Sequence, residues 1–426
     1  MRNIAAVTRN QRPALVSSLC VSAARERNQP PFMGIQSTAL LRAVGIPDCS
    51  CCRDDRCMNE QRKHAFAVLR SVLEPLRPFF DDPSVVEIMV NGPSDVWVES
   101  RGVMVPHKVD LSSEVIHTAI RQIAQLNGRN AVEGTETGIV DAEIPVAAVA
   151  SPGVVSAANM RLAAVLAPTA LRGHALCIRK HSPIIHSLED YERNGAFTPN
   201  LNATRAVVEP CPVEPDAIRE GGGKLSELLR WMLRSKKTIL VSGATGSGKT
   251  TLFKMLITLI PRPERLFTIE DTPELVVYSP NYVSLLSNTQ DGVTPQLLAK
   301  LAMRMRPDRI LFGELRDDVA HYFLEAANTG HPGSTATLHA NDATSALTRL
   351  ESLAVSYYRG GTPPLAAVRH RIVNTVDFVI HVGKDGRPGV IEEIVAVSPT
   401  DAQQGMGYAP FVRSIYSRYP SSAQPH

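Results

Sequence analysis

A glycine-rich stretch at residues 243–250 carries the residue types that bind a nucleoside triphosphate. It reads Gly-Ala-Thr-Gly-Ser-Gly-Lys-Thr, and its glycines let the backbone turn tightly and point N–H groups at phosphate oxygens. Lys249 adds a mobile positive charge, and the Thr250 hydroxyl suits Mg²⁺, which prefers oxygen ligands. We expect ATP and Mg²⁺ as cofactors, held by Gly243, Ala244, Thr245, Gly246, Ser247, Gly248, Lys249, Thr250 and Thr251.

The residues on either side of this stretch place it in the context that a P-loop requires. Residues 238–241 form a short apolar run typical of a buried strand. Apolar residues with helical spacing follow until Pro261, namely Leu252, Met255, Leu256 and Leu259. The alternative is a chance glycine-rich turn, which would not explain the strand pattern before the loop or the helical pattern after it.

An acidic residue at the end of a second apolar run is a candidate for the hydrolytic chemistry. Glu314 follows the apolar residues of the segment 309–316. At a strand end opposite a P-loop, its carboxylate would hold Mg²⁺ through water or accept the proton of the attacking water. The alternative is an ordinary surface glutamate, but the apolar run before Glu314 favours a place inside the site.

Two further acids close the preceding apolar run, at residues 266–269. We assign Glu270 as a second candidate to polarise water and Asp271 as its support, because two carboxylates there need a metal or another partner. Capping of a helix by Asp271, ahead of Pro273, is the competing interpretation.

A histidine at a strand end can donate a hydrogen bond to a γ-phosphate and respond to its loss. The segment 329–341 contains His331 and His339. His339 ends an apolar run and is the stronger candidate. His331 lies in a Gly-Pro turn, where a role in the site and a role in bracing the loop are equally open.

The residues that carry this chemistry all follow short apolar runs that alternate with helical patterns. We expect an α/β domain at 224–397, with a mostly parallel sheet flanked by helices, a terminal hairpin and a mobile tail at 398–426. Nucleotides bind at the carboxyl ends of such strands. The predicted strands are 238–241, 266–269, 283–286, 309–312, 335–339, 378–382 and 390–397.

The preceding segment, 61–182, reads as a smaller α+β domain. A helical pattern from Gln61 is expected to end at Pro78, and a second helix runs from a Ser113 cap to Gly128. Strands are expected at 85–91, 95–99, around Ile144, at 162–166 and at 175–180. Residues 183–223 are rich in Pro, Asn and charge and are predicted to form a linker.

The first 60 residues have the composition of a disordered leader. Residues 1–47 contain six arginines and one acid, which is also the makeup of a transit peptide. We prefer the interpretation that the gene model is too long and that the true start codon encodes Met33 or Met58. The cysteines at 49–57 have the ligand types for zinc but not its paired spacing.

Composition limits the classes of function. The chain has 426 residues, a net charge of +3 and 5% aromatic residues, which disfavours a nucleic-acid-binding protein. No run has the roughly 18 to 20 apolar residues that a membrane span needs, so we expect at most peripheral membrane contact. Seven scattered cysteines, an odd number, favour reduced thiols and a cytoplasmic location.

Four motifs in this order resemble those of the hexameric secretion ATPases, whose members serve type IV secretion, conjugation, type II secretion and type IV pili. The VirB-eleven type is closest and the tight-adherence pilus ATPases are second. The resemblance spans residues 80–397. The motifs are G-A-T-G-S-G-K-T, T-I-E-D-T-P-E-L, R-M-R-P-D-R-I-L-F-G-E-L-R and N-T-G-H-P-G-S-T-A-T-L-H-A-N; the VirB-eleven type also shares G-V-T-P-Q-L-L.

The resemblance implies a RecA-like domain joined by a linker to an amino-terminal domain, with six subunits in a ring and nucleotide between the two domains. It implies that Arg161 and Arg179 reach the phosphates. The implied partners are other copies of the chain and inner-membrane components of a secretion or conjugation machine. The implied location is the cytoplasmic face of the inner membrane, without direct sequence-specific nucleic-acid binding.

Other functions on the same core remain open. A nucleic-acid translocase would need a basic or aromatic strand-binding surface. A non-hydrolysing ring subunit would not need the acids and the histidine at Glu270, Glu314 and His339. We therefore expect a ring-shaped, Mg²⁺-dependent ATPase in which hydrolysis drives rotation of the domains about the linker.

Overall fold

The computed structural model describes residues 71–100, 102–145, 159–180, 225–358, 365–383, 389–398, 408 and 411–418. The predicted leader at 1–60, with its cysteine cluster, and the predicted linker at 183–223 lie outside these ranges. The described residues belong to a compact unit that begins at Arg62. Two sheets organise it, and we call the parts built on them the amino-terminal lobe and the ATPase lobe.

The amino-terminal lobe is a six-stranded antiparallel sheet with two described α-helices. The strands lie in the order β3-β2-β1-β6-β5-β4. The elements are α1 (Arg77–Asp81), β1 (Val85–Val90), β2 (Val96–Ser100), β3 (Val103–His107), α2 (Ser113–Leu126), β4 (Ile139–Pro145), β5 (Asn159–Val165) and β6 (Ala175–Lys180).

Three details of this lobe differ from the sequence-based expectations. Pro78 lies in the first turn of α1 rather than ending a helix, as suits a residue that lacks an N–H. The cap of α2 is Ser112, whose hydroxyl accepts from the Val115 N–H. Strand β3 was not predicted, because its apolar side chains are largely exposed on the edge of the sheet.

The two faces of this sheet pack against different partners. Residues such as Ile88, Leu162 and Ile178 form a core with α2. Met89 and Cys177, on the alternate face, belong to the same buried cluster as the core of the ATPase lobe. Side chains alternate along a strand, so the odd-numbered residues of β5 and β6, and those of β1 after the irregularity between Val85 and Glu87, face the ATPase lobe.

The ATPase lobe is an eight-stranded sheet in the order β14-β13-β12-β7-β11-β10-β8-β9. In this spatial order, the six strands from β12 to β9 are parallel to one another, and β13 and β14 extend the sheet as antiparallel strands. The strands are β7 (Ile239–Gly243), β8 (Leu266–Glu270), β9 (Tyr282–Leu286), β10 (Arg309–Phe312), β11 (Thr335–Leu338), β12 (Phe378–Gly383), β13 (Val390–Val397) and β14 (Val412–Ser417).

Helices cover both faces of this sheet, as the buried strands require. Strands β7, β8 and β10 are buried along their whole length, which matches their continuous apolar sequences. The predicted α/β class is therefore confirmed. The helices are α3 (Leu225–Arg234), α4 (Lys249–Thr258), α5 (Pro295–Arg304), α6 (Val319–Asn328), α7 (Ala343–Val355) and α8 (Leu365–Thr375).

The expectation of a mobile tail beyond Ser398 does not hold for residues 412–417. Strand β14 pairs antiparallel with β13, and Ile415 is buried beneath it. Tyr408 is also buried and donates a hydrogen bond to Glu351 on α7. These nonlocal contacts fix the position of a segment that local sequence patterns did not predict to be ordered.

The amino-terminal lobe covers one side of the ATPase sheet. The segment around Ala170 pairs with β9, the edge strand, through an isolated antiparallel bridge to Leu285. Arg265 is fully buried between the lobes, where its Nη1 donates to Asn91 at 2.5 Å and to Asn281 at 2.6 Å. The edge strand of the parallel sheet is thus covered within the chain, which removes an aggregation-prone edge.

Within the described part of the chain, no helix combines the length and the apolar character that crossing a bilayer would demand.

Candidate nucleotide site

The glycine-rich loop joins β7 to α4 at the carboxyl end of the sheet. Gly248 has φ of 90° and directly precedes α4, a left-handed conformation that favours glycine. At Gly243, a Cβ would collide with the carbonyl oxygen of Val382 on the neighbouring strand β12. The glycines at these two positions are therefore required by backbone shape and by close packing, and the loop opens onto the amino end of a helix.

The side chain of Lys249 folds back onto the glycine-rich loop. Its side chain is nearly buried, and Nζ donates to the carbonyls of Gly243 at 3.0 Å and Ala244 at 2.9 Å. Burial lowers the pKa of Lys249, while the charge of Glu314 acts in the opposite direction. The ammonium group therefore occupies the concave side of the loop, where a bound phosphate would replace weaker carbonyl partners.

Glu314 and His339 meet beside this lysine. His339 Nδ1 is 3.1 Å from Lys249 Nζ, and His339 Nε2 is 3.2 Å from Glu314 Oε1. The other carboxylate oxygen of Glu314 accepts from Arg316 at 2.7 Å. Burial favours the neutral acid, but the hydrogen bond and charge of Arg316, with His339 and Lys249, outweigh it and lower the pKa of Glu314.

Glu270 ends β8, next to β10, and is nearly buried. Its Oε1 accepts the N–H groups of Glu274 at 2.9 Å and Leu275 at 2.8 Å, so this carboxylate also shapes the following loop. Burial raises the pKa of Glu270 despite these hydrogen bonds. A raised pKa makes the group a stronger base once it is ionised.

Asp271 does not cap a helix. The described residues that follow it, up to Pro280, contain no helix, and its Oδ1 accepts from the Ser287 hydroxyl at 2.5 Å. Its Oδ2 lies 3.9 Å from Arg316 Nη1. Asp271 thus belongs to a polar cluster that also contains Arg316 and Glu314.

The loop fits a triphosphate. It offers backbone N–H groups at the amino end of α4, a nearly buried lysine within the loop and glycines where side chains would obstruct it. Thr250 lies in the same helix next to Lys249, and its hydroxyl, like the Glu314 carboxylate, is an oxygen group of the kind that Mg²⁺ prefers.

Comparisons with known proteins agree with this geometry. The Type II/IV secretion system protein family matches residues 217–384. The Type IV secretion system protein VirB11 of Bartonella henselae is 34% identical over 74% of this chain and 88% of its own length. Protein VirB11 of Rhizobium radiobacter is 33% identical over 73% of this chain and 89% of its own. The chain belongs to the VirB11-type secretion ATPases.

A solved structure supports the same membership. The crystal structure of the VirB11 ATPase from the Brucella suis type IV secretion system, in complex with sulphate, has a TM-score of 0.67 and 30% sequence identity. The alignment covers 80% of this chain and 96% of that chain. The expected family of secretion ATPases is therefore confirmed.

Arg161 and Arg179 of this VirB11-type ATPase lie side by side in register on β5 and β6. Arg161 Nε is 3.3 Å from Asp141 on β4, and Asp141 also pairs with Arg304, the last residue of α5. Helix α5 runs back from the carboxyl-end edge of the sheet to the edge where β10 begins, so its last residue is far from the P-loop. The contacts of Arg161 therefore place it at the opposite edge from the P-loop of its own chain.

The sequence left two roles open for His331, one in the site and one in bracing its loop, and its contacts favour bracing. Its Nδ1 is 2.9 Å from the carbonyl oxygen of Pro307, just before β10, and burial lowers its pKa. This position is at the start of the strands, whereas the P-loop follows the end of β7.

Two residues near the loop were missed by sequence reasoning. His381 is nearly buried on β12, with Nδ1 3.0 Å from the hydroxyl of Ser242, the residue before the P-loop. Only the pairing of β12 with β7 brings them together, and no local pattern signals it. The signal that could have found Arg316 was its charge, two positions after Glu314, at the end of the segment 309–316.

Proposed function

We propose that this chain hydrolyses Mg²⁺-ATP as one subunit of a ring-shaped motor. The motor would act at the cytoplasmic face of a membrane and power a type IV secretion or conjugal transfer apparatus. Its VirB11 relatives, which are named as type IV secretion system proteins and include an ATPase, support this proposal. The observation that carries the chemistry is the contact series from Lys249 through His339 to Glu314.

Binding of the triphosphate would begin at the loop. Backbone N–H groups of 243–251 would hold the phosphate oxygens, and Lys249 would exchange its loop carbonyls for the β- and γ-phosphates. Thr250 and Glu314, the latter through water, would hold Mg²⁺, which would neutralise charge that develops on the phosphates.

Hydrolysis needs a group that orients and deprotonates a water. Glu314 would accept the proton of that water, since it is ionised and lies within the same contact series as Lys249. Glu270 is a second candidate for the same water, because it ends the strand next to β10. His339 would donate to the γ-phosphate and change partners when that phosphate leaves.

The arginines Arg161 and Arg179 would complete the site of a neighbouring copy. In their own chain they lie at the edge where the strands begin, away from the P-loop. In a closed ring, each subunit presents one surface to a different surface of its neighbour, so an arginine pair can reach the next nucleotide. Cations that meet the γ-phosphate in this way stabilise the charge of the transition state.

The test is phosphate release from ATP by the purified chain, with Mg²⁺ and with a chelator. Lys249→Ala should lower kcat by at least about 100-fold, the scale for loss of one group that stabilises transition-state charge. Lys254→Ala, on the same helix, is the matched control and should keep its activity. Undiminished turnover in the Lys249 variant, or turnover that ignores Mg²⁺, would refute the proposed site.

A further inference from the structure

Arg316 lies between two carboxylates that belong to neighbouring strand ends. Its Nη2 is 2.7 Å from Oε2 of Glu314, which follows β10, and its Nη1 is 3.9 Å from Oδ2 of Asp271, which follows β8. The Arg316 side chain is 61% exposed. Because it is this exposed, a small rotation of the guanidinium can exchange a direct contact with Glu314 for one with Asp271.

The contact with Glu314 opposes the chemistry assigned to that residue. With Arg316 on Oε2 and His339 on Oε1, both oxygens of Glu314 are engaged. With both oxygens engaged, Glu314 has no free oxygen with which to orient a water, so it is held in a less reactive form.

Asp271 is suited to receive the arginine. Its Oδ1 is fixed by the hydroxyl of Ser287, which leaves Oδ2 directed at Arg316. Glu314 and Asp271 are therefore two stable positions for a single cation. The other charged groups around Glu314 are Lys249, His339 and, beside Gly313, Glu270.

We propose that Arg316 is a positioning residue that restrains Glu314 in the nucleotide-free site and transfers to Asp271 when nucleotide binds. The transfer frees Oε2 of Glu314 for water or for the hydrated Mg²⁺. Asp271 thereby acts as the acceptor that keeps Arg316 away during turnover. This inference rests on the proposed hydrolytic role of Glu314, and it adds a switch that prevents the base from acting before the nucleotide is in place.

Three variants test the transfer by steady-state phosphate release with saturating Mg²⁺-ATP. Asp271→Asn removes the charge that attracts Arg316, so the arginine stays on Glu314 and kcat should fall about tenfold with KM nearly unchanged. Arg316→Gln should keep kcat within about threefold of the parent chain. The double variant should recover the activity of Arg316→Gln, because there is no arginine left to restrain Glu314.

Recovery of kcat in the double variant is a readout that a merely structural role of Arg316 would not give. Arg413→Gln, an exposed arginine on β14, is the matched control and should leave kcat unchanged.

The outcomes separate this inference from the proposed function. If the parent chain releases no phosphate, the proposed function fails. If the parent is active, three results each overturn the switch alone: full activity of Asp271→Asn, a double variant no faster than Asp271→Asn, or an Arg316→Gln variant as inactive as Glu314→Gln. Recovery in the double variant establishes it.

Discussion

Lys249 and His339 are in direct contact across the mouth of the nucleotide site, with Nζ of the lysine 3.1 Å from Nδ1 of the histidine. The histidine extends from the end of β11, the strand that pairs with β7. The residue proposed to hold the phosphates and the residue proposed to respond to the γ-phosphate therefore already touch. When Lys249 moves onto a phosphate, His339 loses this partner and its ring is free to follow.

Replacing this histidine should separate binding from catalysis. In His339→Gln, we expect kcat to fall about tenfold to 100-fold, because a positioned donor at the γ-phosphate is lost, while KM changes less than about threefold. Steady-state phosphate release measures both constants. His370→Gln, an exposed histidine on α8, is the control. An unchanged kcat in His339→Gln would remove the histidine from the mechanism.

A buried carboxylate in the amino-terminal lobe should make stability depend on pH. Glu87 on β1 is nearly buried and accepts a hydrogen bond from the Cys177 thiol, and burial raises its pKa. The folded state therefore holds this proton more tightly than the unfolded chain does. The stabilisation is present below the pKa of the unfolded chain and is lost as pH rises through the higher pKa of the folded state.

Glu87→Gln should therefore increase the free energy of unfolding at pH 7 by about 1 kcal/mol, since an amide keeps the hydrogen bond without the buried charge. The gain should disappear in acid. Glu99, opposite Glu87 on β2, is the matched contrast because its carboxylate pairs with Arg306 at 2.6 Å. Glu99→Gln should destabilise at pH 7. Denaturant unfolding at both pH values measures these changes, and a loss of stability in Glu87→Gln would contradict the argument.

Sequence patterns predicted the elements that depend on neighbouring residues. They missed the elements that depend on pairing between distant segments. The strand, glycine turn and helix around Lys249 are contiguous, so their residue types alone predicted the loop. Glu314 and His339 were predicted because each follows its own apolar strand. Strand β14 was missed because the whole tail beyond Ser398 was interpreted as polar, although it includes Phe411, Val412 and Ile415, and because the pairing with β13 is not signalled locally.

Side-chain partners were the least predictable feature. Arg161 directly precedes the predicted strand 162–166, but the sequence could not show that Asp141 and Arg304 would draw it toward the far edge of the sheet. Arg316 was not singled out, and its second partner, Asp271, follows a strand that ends more than 40 residues earlier. Such contacts depend on the order of strands in the sheet, which local periodicity does not encode.

The buried arginine between the lobes should be a major determinant of stability. Burial lowers the pKa of Arg265 to about 10, and its guanidinium donates to three neutral acceptors, namely Asn91, Asn281 and the carbonyl of Met305. Asn91→Ala should cost about 3 kcal/mol of unfolding free energy, because it leaves a buried cation without one acceptor. Asn374→Ala, at an exposed position on α8, should cost less than about 0.5 kcal/mol. Equal effects of the two variants in denaturant unfolding would show that the network contributes little.

The position of Arg161 leads to a prediction about mixed rings. Arg161→Ala keeps an intact P-loop, and Lys249→Ala keeps intact arginines, so each alone should be nearly inactive. If Arg161 acts on the nucleotide of a neighbouring subunit, a complete site forms wherever a Lys249→Ala subunit presents its arginine to an Arg161→Ala subunit. Random assembly at equal amounts gives roughly a quarter of such interfaces, so co-expressed and co-purified rings should recover up to about a quarter of the parent activity.

The control for this mixture is Arg161→Ala combined with the double variant Arg161→Ala/Lys249→Ala, which supplies no intact arginine and should recover nothing. If Arg161 served the nucleotide of its own chain, neither mixture would recover, because every subunit would lack either its lysine or its arginine. Recovery in the first mixture and not in the second therefore requires the arginine to cross between subunits. This agrees with its contacts to Asp141, and through it to Arg304, at the edge of the sheet opposite its own P-loop.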